Sequence, residues 1–325
     1  MHSESVCLCV FMLAQIASAQ QPAAWAADMR RGQALQNEGR FAEAEPRFQS
    51  ALRQAAQLPG REDLQVIALS DLASVELDLG QLDKAVSNCQ RAIALLVRTV
   101  GPSDPRVQPL RAELAAFYLE SGQAGTAERL LRGIVLSPAT APSADSAFVV
   151  DVLACLYARE NKLARAEEAE RQSISILEAS PRPDDRSLAV GYLHLAIFLN
   201  FAKRPADALP YAERGLALLQ MLPHPQPVMQ ASAEASLASI HAALGRDEEA
   251  ERESARALQV TESFYGPNHP QMAWMLLARA ALLRRLDRKA AAKELQARAD
   301  RILQANRTAR LADTVPLEAL LPARK

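Results

Sequence analysis

A column of small residues limits what this chain can fold into more than any other feature. The segment Gly39-Arg40-Phe41-Ala42-Glu43-Ala44 returns as Gly80-Gln81-Leu82-Asp83-Lys84-Ala85. It returns again as Gly122 to Ala127, Asn161 to Ala166, Lys203 to Ala208, Gly245 to Ala250 and Asp287 to Ala292. The closing alanines are spaced 41, 42, 39, 42, 42 and 42 residues apart. Twelve residues before each stands another small residue: Gly32, Ala73, Ala115, Ala154, Ala196, Ala238 and Ala280. A period of this length describes a supersecondary unit that cannot bury its apolar face alone and must stack on its neighbours.

The unit reads as two helices joined by a tight turn. Before each turn, large residues flank the small one at i and i+4, as in Leu114 and Tyr118, Leu153 and Tyr157, and Leu195 and Leu199. That spacing is one helical face. The glycines at 39, 80, 122 and 245 end the first helix, where a left-handed residue is needed. The repeat alanine of the second helix then faces the small residue of the first, because two helices at the close end of 8–10 Å leave no room for more. A third small column follows seven residues on: Ala51, Ala92, Ser173, Gly215, Ala257 and Ala299, with Ile134 the exception. It is assigned to the contact with the next repeat. Thirteen of the nineteen prolines cluster between a second helix and the following first helix, where one helix must stop and another begin. Pro46 and Pro210, two residues after the repeat alanine, are expected in the first turn of the second helix. With 63 alanines, 12 glycines and 5% aromatic residues, the composition suits close-packed helices.

These motifs resemble the tetratricopeptide repeat. The 42-residue period and the loop Tyr265-Gly266-Pro267-Asn268-His269-Pro270, with a weaker copy at Gly101-Pro102-Ser103-Asp104-Pro105, resemble more narrowly the kinesin-light-chain type. The resemblance implies an all-α, right-handed superhelical solenoid of about seven helix-turn-helix repeats over residues 24–304, followed by a tail, 305–325. It also implies a protein-protein interaction scaffold. The paired asparagines usual in the kinesin-light-chain type are missing: Ser70-Asp71, Ala112-Glu113, Asp151-Val152, Leu193-His194, Ala235-Ser236 and Leu277-Ala278 stand in their place. In the family, groove-facing residues lie fifteen and eleven positions before the repeat alanine, with others eighteen and eight before. On this chain those offsets point to a partner-binding set of Phe148, Asp151, Val190, Leu193, Ile197, Asn200, Trp274, Leu277 and Arg284. Only Asn200 and Arg284 could pair a carboxylate, two repeats apart, so the offsets argue against a clamp for a peptide C-terminus.

Catalytic, cofactor and metal signals are wanting. No HExxH, P-loop, GxGxxG, GxSxG or EF-hand spacing occurs. The four cysteines, Cys7, Cys9, Cys89 and Cys155, form no CxxC and no His/Cys cluster of zinc spacing, so neither metal nor cofactor is expected. The histidines at 194, 224, 241 and 269 read as structural, and the run Asp247 to Glu253 as a solvated helix face. The net charge of -1 gives no general attraction to nucleic acid. The expected partner is a protein or peptide, neither nucleic acid nor a small-molecule substrate. Residues 279–310 hold ten basic and three acidic residues, which leaves the basic last repeat as the one place for membrane contact. At the N-terminus, the apolar run Val6 to Ile16 and Ala17-Ser18-Ala19 read as a signal peptide over residues 1–19, although no Lys or Arg precedes them. The protein is therefore expected to be exported, to a bacterial periplasm or beyond, with a cytoplasmic adaptor, or the substrate-binding array of a larger enzyme complex, as the alternatives.

Overall fold

The computed structural model describes residues 21–132, 143–180, 184–223 and 226–305. Among these there are fourteen helices and no strand. They form seven antiparallel pairs: α1 (Ala23–Asn37) with α2 (Phe41–Ala56), α3 (Glu62–Asp78) with α4 (Leu82–Val100), and α5 (Val107–Glu120) with α6 (Ala124–Leu131). The series continues with α7 (Ala144–Arg159) and α8 (Leu163–Glu178), α9 (Asp185–Phe201) and α10 (Pro205–Met221), α11 (Pro227–Ala243) and α12 (Asp247–Tyr265), and α13 (Pro270–Arg285) and α14 (Lys289–Ala305). The pairs gather into two compact units, one within residues 7–140 and one within residues 141–307. The apolar N-terminal run, its cleavage motif, Ile134 and the tail beyond Ala305 lie outside the described residues. None of the described helices is long and apolar enough to cross a membrane.

All seven helix-to-helix turns share one backbone solution. The residue at each turn takes positive φ: Gly39, Gly80, Gly122 and Gly245, but also Asn161, Lys203 and Asp287. The amide after it reaches back to close the preceding helix, as in Arg40 N to Leu35 O at 2.9 Å and Arg204 N to Leu199 O at 2.9 Å. This is the Schellman closure, which satisfies carbonyls the helix end would otherwise leave unpaired. Asparagine and aspartate tolerate the left-handed conformation through local hydrogen bonding, whereas Lys203 holds it against its own Cβ.

The small columns are where the helices touch. Ala44, Ala85, Ala127, Ala166, Ala208, Ala250 and Ala292 are all buried, as are the seven residues twelve positions earlier. Ala196 and Ala208 share one core cluster with Tyr192, Leu195 and Leu199, while Ala238 with Ala250 and Ala280 with Ala292 recur in the next two pairs. In the first pair the site narrows to glycine, because a Cβ on Gly32 would stand 2.7 Å from the ring of Phe48. The third small column does not face the next repeat. A Cβ on Gly215 would meet Leu193 and the Ala189 carbonyl of its own pair, Ala257 packs on Ala231 and Ala235, and Ser173 donates to the Ala147 carbonyl. Seven residues are two helical turns, so the third column lies on the same stripe as the repeat alanine and meets the same helix. Pro46 and Pro210 also differ from expectation: α2 and α10 begin three residues before the repeat alanine, which puts each proline in the second turn. There it forfeits one intrahelical hydrogen bond.

Two charge features of the sequence neutralise each other. The acidic run of α12 faces the basic last pair: Arg285 pairs with Asp247, Arg288 with Glu251, and Arg298 with Glu262.

Candidate functional site

The first helix of each pair lines the face where the family's groove would lie. In the unit of residues 7–140 that face is closed by side-chain bonds from one first helix to the next. Gln33 donates to Asp71 at 2.8 Å, and Gln36 to Asp78 at 2.6 Å and Ser74 at 3.1 Å. Ser70 donates to Glu113 at 2.9 Å, and Asn88 of α4 to both oxygens of Glu76. Asp71 and Glu113 stand where the kinesin-light-chain type carries asparagine. Their partners are neutral amides and a hydroxyl. Burial therefore pushes Glu113 up to about 8, Asp78 and Glu76 up to about 7, and Asp71 up to about 6.

In the unit of residues 141–307 such links include Asn200 to Ser239 at 2.9 Å and His194 Nδ1 to Asp151 at 2.6 Å. Burial works against the charged imidazole of His194, but the Asp151 carboxylate and the Cys155 thiol beside it outweigh that and hold its pKa well above the usual histidine value. Cys155 Sγ lies 3.9 Å from the same nitrogen, and burial raises the thiol to about 11. Behind them Glu170 of α8 is wholly buried with no hydrogen-bond donor on either oxygen.

From α9 to α14 this face opens into a cavity of about 1130 Å³. Its floor is made of small side chains, Ala235, Ala238, Ser239, Ala242, Ala278 and Ala281, and its apolar wall of Trp274, Met275, Leu277 and Leu282. Lys203, Arg279, Arg284 and Arg285 line it against a single acid, Asp300. Arg284 is exposed and donates to Gln296 at 2.7 Å, while Arg279 is tied to the Glu251 carbonyl and Ser254. Phe201 stands exposed among the lining residues.

Of the residues that the family offsets select, the structure gathers Asn200, Trp274, Leu277 and Arg284 around this one cavity. Val190, Leu193 and Ile197 are buried, so they offer little surface to a partner, and Leu193 packs onto Gly215. Phe148 and Asp151 are half-buried and lie outside the cavity, Asp151 being held by His194. Lys203, Arg279 and Arg285 were missed. They sit at the turn and at other helix positions, which one-face offsets do not sample. Two other histidines are structural: His241 bonds Glu253 at 2.9 Å, and His269 caps α13 while stacking on Tyr265, whereas His224 lies outside the described residues.

A family model for the tetratricopeptide repeat matches residues 23–96 and 229–305. Those two stretches are tetratricopeptide repeats. Solved structures with this fold include a Rap protein complexed with competence and sporulation factor. It is 13% identical, at a TM-score of 0.67, over 89% of this chain and 77% of that one. The apo quorum sensor NprR of B. thuringiensis is 12% identical, at a TM-score of 0.59, over 86% and 76% of the two chains. A kinesin light chain of Podosopora anserina with nearly identical repeats is 20% identical over 61% of this chain and 96% of that one, at a TM-score of 0.43. A comparison of the sequence with curated proteins finds no match. Among the described residues, the cavity between α9 and α14 is one place where the repeat register leaves apolar surface uncovered.

Proposed function

We propose that this protein is a non-catalytic scaffold whose last three repeats hold a peptide segment of a protein partner carrying apolar and acidic side chains. The observation that carries the reading is the cavity at α9–α14, where Trp274 and Leu277 offer apolar surface alongside Lys203 and Arg284. A large, stiff aromatic side chain in a pocket makes an effective anchor at low entropic cost, and arginines beside it select carboxylates by charge-assisted bonds. The Rap fold neighbour, solved in complex with competence and sporulation factor, supports a binding role for a chain of this fold. On the sequence alone, the scaffold would work in an exported compartment; mass spectrometry of the mature chain should then show Gln20 at its N-terminus, and an intact Met1 would refute export.

The experiment is selection of a random-peptide display library on the full chain, followed by titration of synthetic peptides. Trp25 is buried in α1, so with Trp25 replaced by Phe, Trp274 fluorescence reports the cavity directly. Selected peptides should combine an aromatic or aliphatic residue with Asp or Glu. Arg284→Glu by Trp274 fluorescence, and Trp274→Ala by the anisotropy of a dye-labelled peptide, should each show binding weakened by about tenfold or more, with thermal stability nearly unchanged. Equal affinity for both variants, or selected peptides without acidic residues, would overturn the reading.

A further inference from the structure

Away from the cavity, α7, α8 and α9 bring four chemistry-bearing side chains together inside the unit of residues 141–307. Asp151 Oδ1, Cys155 Sγ and His194 Nδ1 all lie within 4.8 Å of one another. Asp151 and Cys155 are one turn apart on α7, and His194 comes from the next first helix, 43 residues along from Asp151. The fourth is Glu170, fully buried, with no donor reaching either oxygen and near enough to feel the charges of Asp151 and His194; burial first, and Asp151 beside it, hold its pKa well above the usual carboxylate value. The Nε2 of His194 is likewise buried and without a partner. A protein that keeps a carboxylate, an imidazole and a thiol in one desolvated spot, with no arginine or lysine among them, needs protons or a cation to offset the charge.

We infer that Asp151, Cys155 and His194 form a transition-metal site with the donor chemistry of zinc, with Glu170 as the buried carboxylate behind it. Thiolate and imidazole favour zinc or its neighbours over magnesium and calcium, which take oxygen ligands. A tetrahedral ion with bonds of about 2.0–2.3 Å sets its ligand atoms roughly 3–4 Å apart. The thiol and imidazole nitrogen already stand at 3.9 Å, and the ion takes the place of the proton now held between His194 and Asp151 at 2.6 Å. Binding releases the Cys155 thiol proton and the Nδ1 proton of His194. Three protein ligands leave one position open. Among the described residues this is the one group of three such side chains placed for an ion.

The test uses the reduced full chain, freed of metal by chelation, and cobalt(II) as the probe. One equivalent should give a thiolate-to-cobalt charge-transfer band with the visible bands of a tetrahedral ion, and zinc(II) should displace it. Cys155→Ser should abolish the charge-transfer band, whereas Cys89→Ser and a Cys7→Ser/Cys9→Ser double variant should retain it. His194→Gln should weaken zinc binding by about a hundredfold in competition with a chromogenic chelator. Should His194→Gln fail to fold, Asp151→Asn serves in its place. Absence of the band from the native chain, or a band lost with Cys7 and Cys9 and kept without Cys155, overturns the site.

Discussion

The unit of residues 7–140 and the unit of residues 141–307 use one small-residue register but finish their inner faces differently. In the first, amide and hydroxyl donors on one helix meet carboxylates on the next, and Gln33, Gln36 and Ser70 bridge to Asp71, Asp78 and Glu113. In the second, the equivalent positions of the last pairs shrink to Ala235, Ser239 and Ala281, and a cavity walled by Trp274 opens there. The turns differ as well. Those of the first unit all use glycine, whereas the second places Asn161, Lys203 and Asp287 at positive φ. The register only requires small residues where helices cross. The positions beside it are free to become either a buried polar seam or a binding surface.

The sharpest way to break this comparison is pH. A carboxyl whose pKa rises on folding binds its proton more tightly in the native chain. Its contribution is therefore complete below the unfolded value, near 4, and is lost as pH rises through the folded value. For Asp71, Asp78, Glu76 and Glu113 that window runs up to about 8. The transition reported by Trp25 should lose stability steadily between pH 5 and pH 9, because each pKa unit is worth about 1.4 kcal/mol and several groups act together. Glu113→Gln should flatten that slope in urea melts. An unchanged slope would mean the seam is open to water.

The shared register is probed by overpacking. Ala73→Leu in the first unit and Ala208→Leu in the second should each cost about 1–3 kcal/mol, because both side chains are fully buried between helices. Trp25 and Trp274 lie one in each unit, so denaturation followed with either tryptophan removed separates the two losses. A neutral result at both positions would refute a common packing rule. The smallest effect belongs to the turns. Lys203→Gly should stabilise the second unit by about 0.5–1 kcal/mol, the relief of a left-handed lysine less the entropy of glycine. Gly80→Ala in the first unit should cost a similar amount; gains or losses of the same sign in both would show that the turns are not equivalent.

The helix pairs were legible because their cause is local and periodic. A crossing contact that admits only alanine or glycine must recur at the repeat length, and Ala44 to Ala292 record it in plain order. Trp274, Leu277, Asn200 and Arg284 were legible for the same reason, as they ride on fixed offsets from that alanine. The third column was misassigned because sequence spacing says which stripe a residue is on without saying which neighbour fills it. Val190, Leu193 and Ile197 pass as groove residues by offset, and only packing shows that they are buried, Leu193 against Gly215 of α10.

What stayed out of reach depends on residues about one period apart. Asp151, Cys155 and His194 carry no motif, since a ligand spacing of 43 residues looks like nothing until two helices are laid side by side. The same holds for the pairing of the acidic α12 with the basic last pair, two charge runs that seem to be separate solvated faces until Arg285, Arg288 and Arg298 meet them. Backbone class, repeat boundaries and turn geometry follow from the order of the residues, because hydrogen bonding and small-residue contacts act over one or two helical turns. The seam, the cavity and the buried cluster were decided by tertiary structure, because burial and charge compensation are properties of side chains that only stacking brings within a few ångströms of each other.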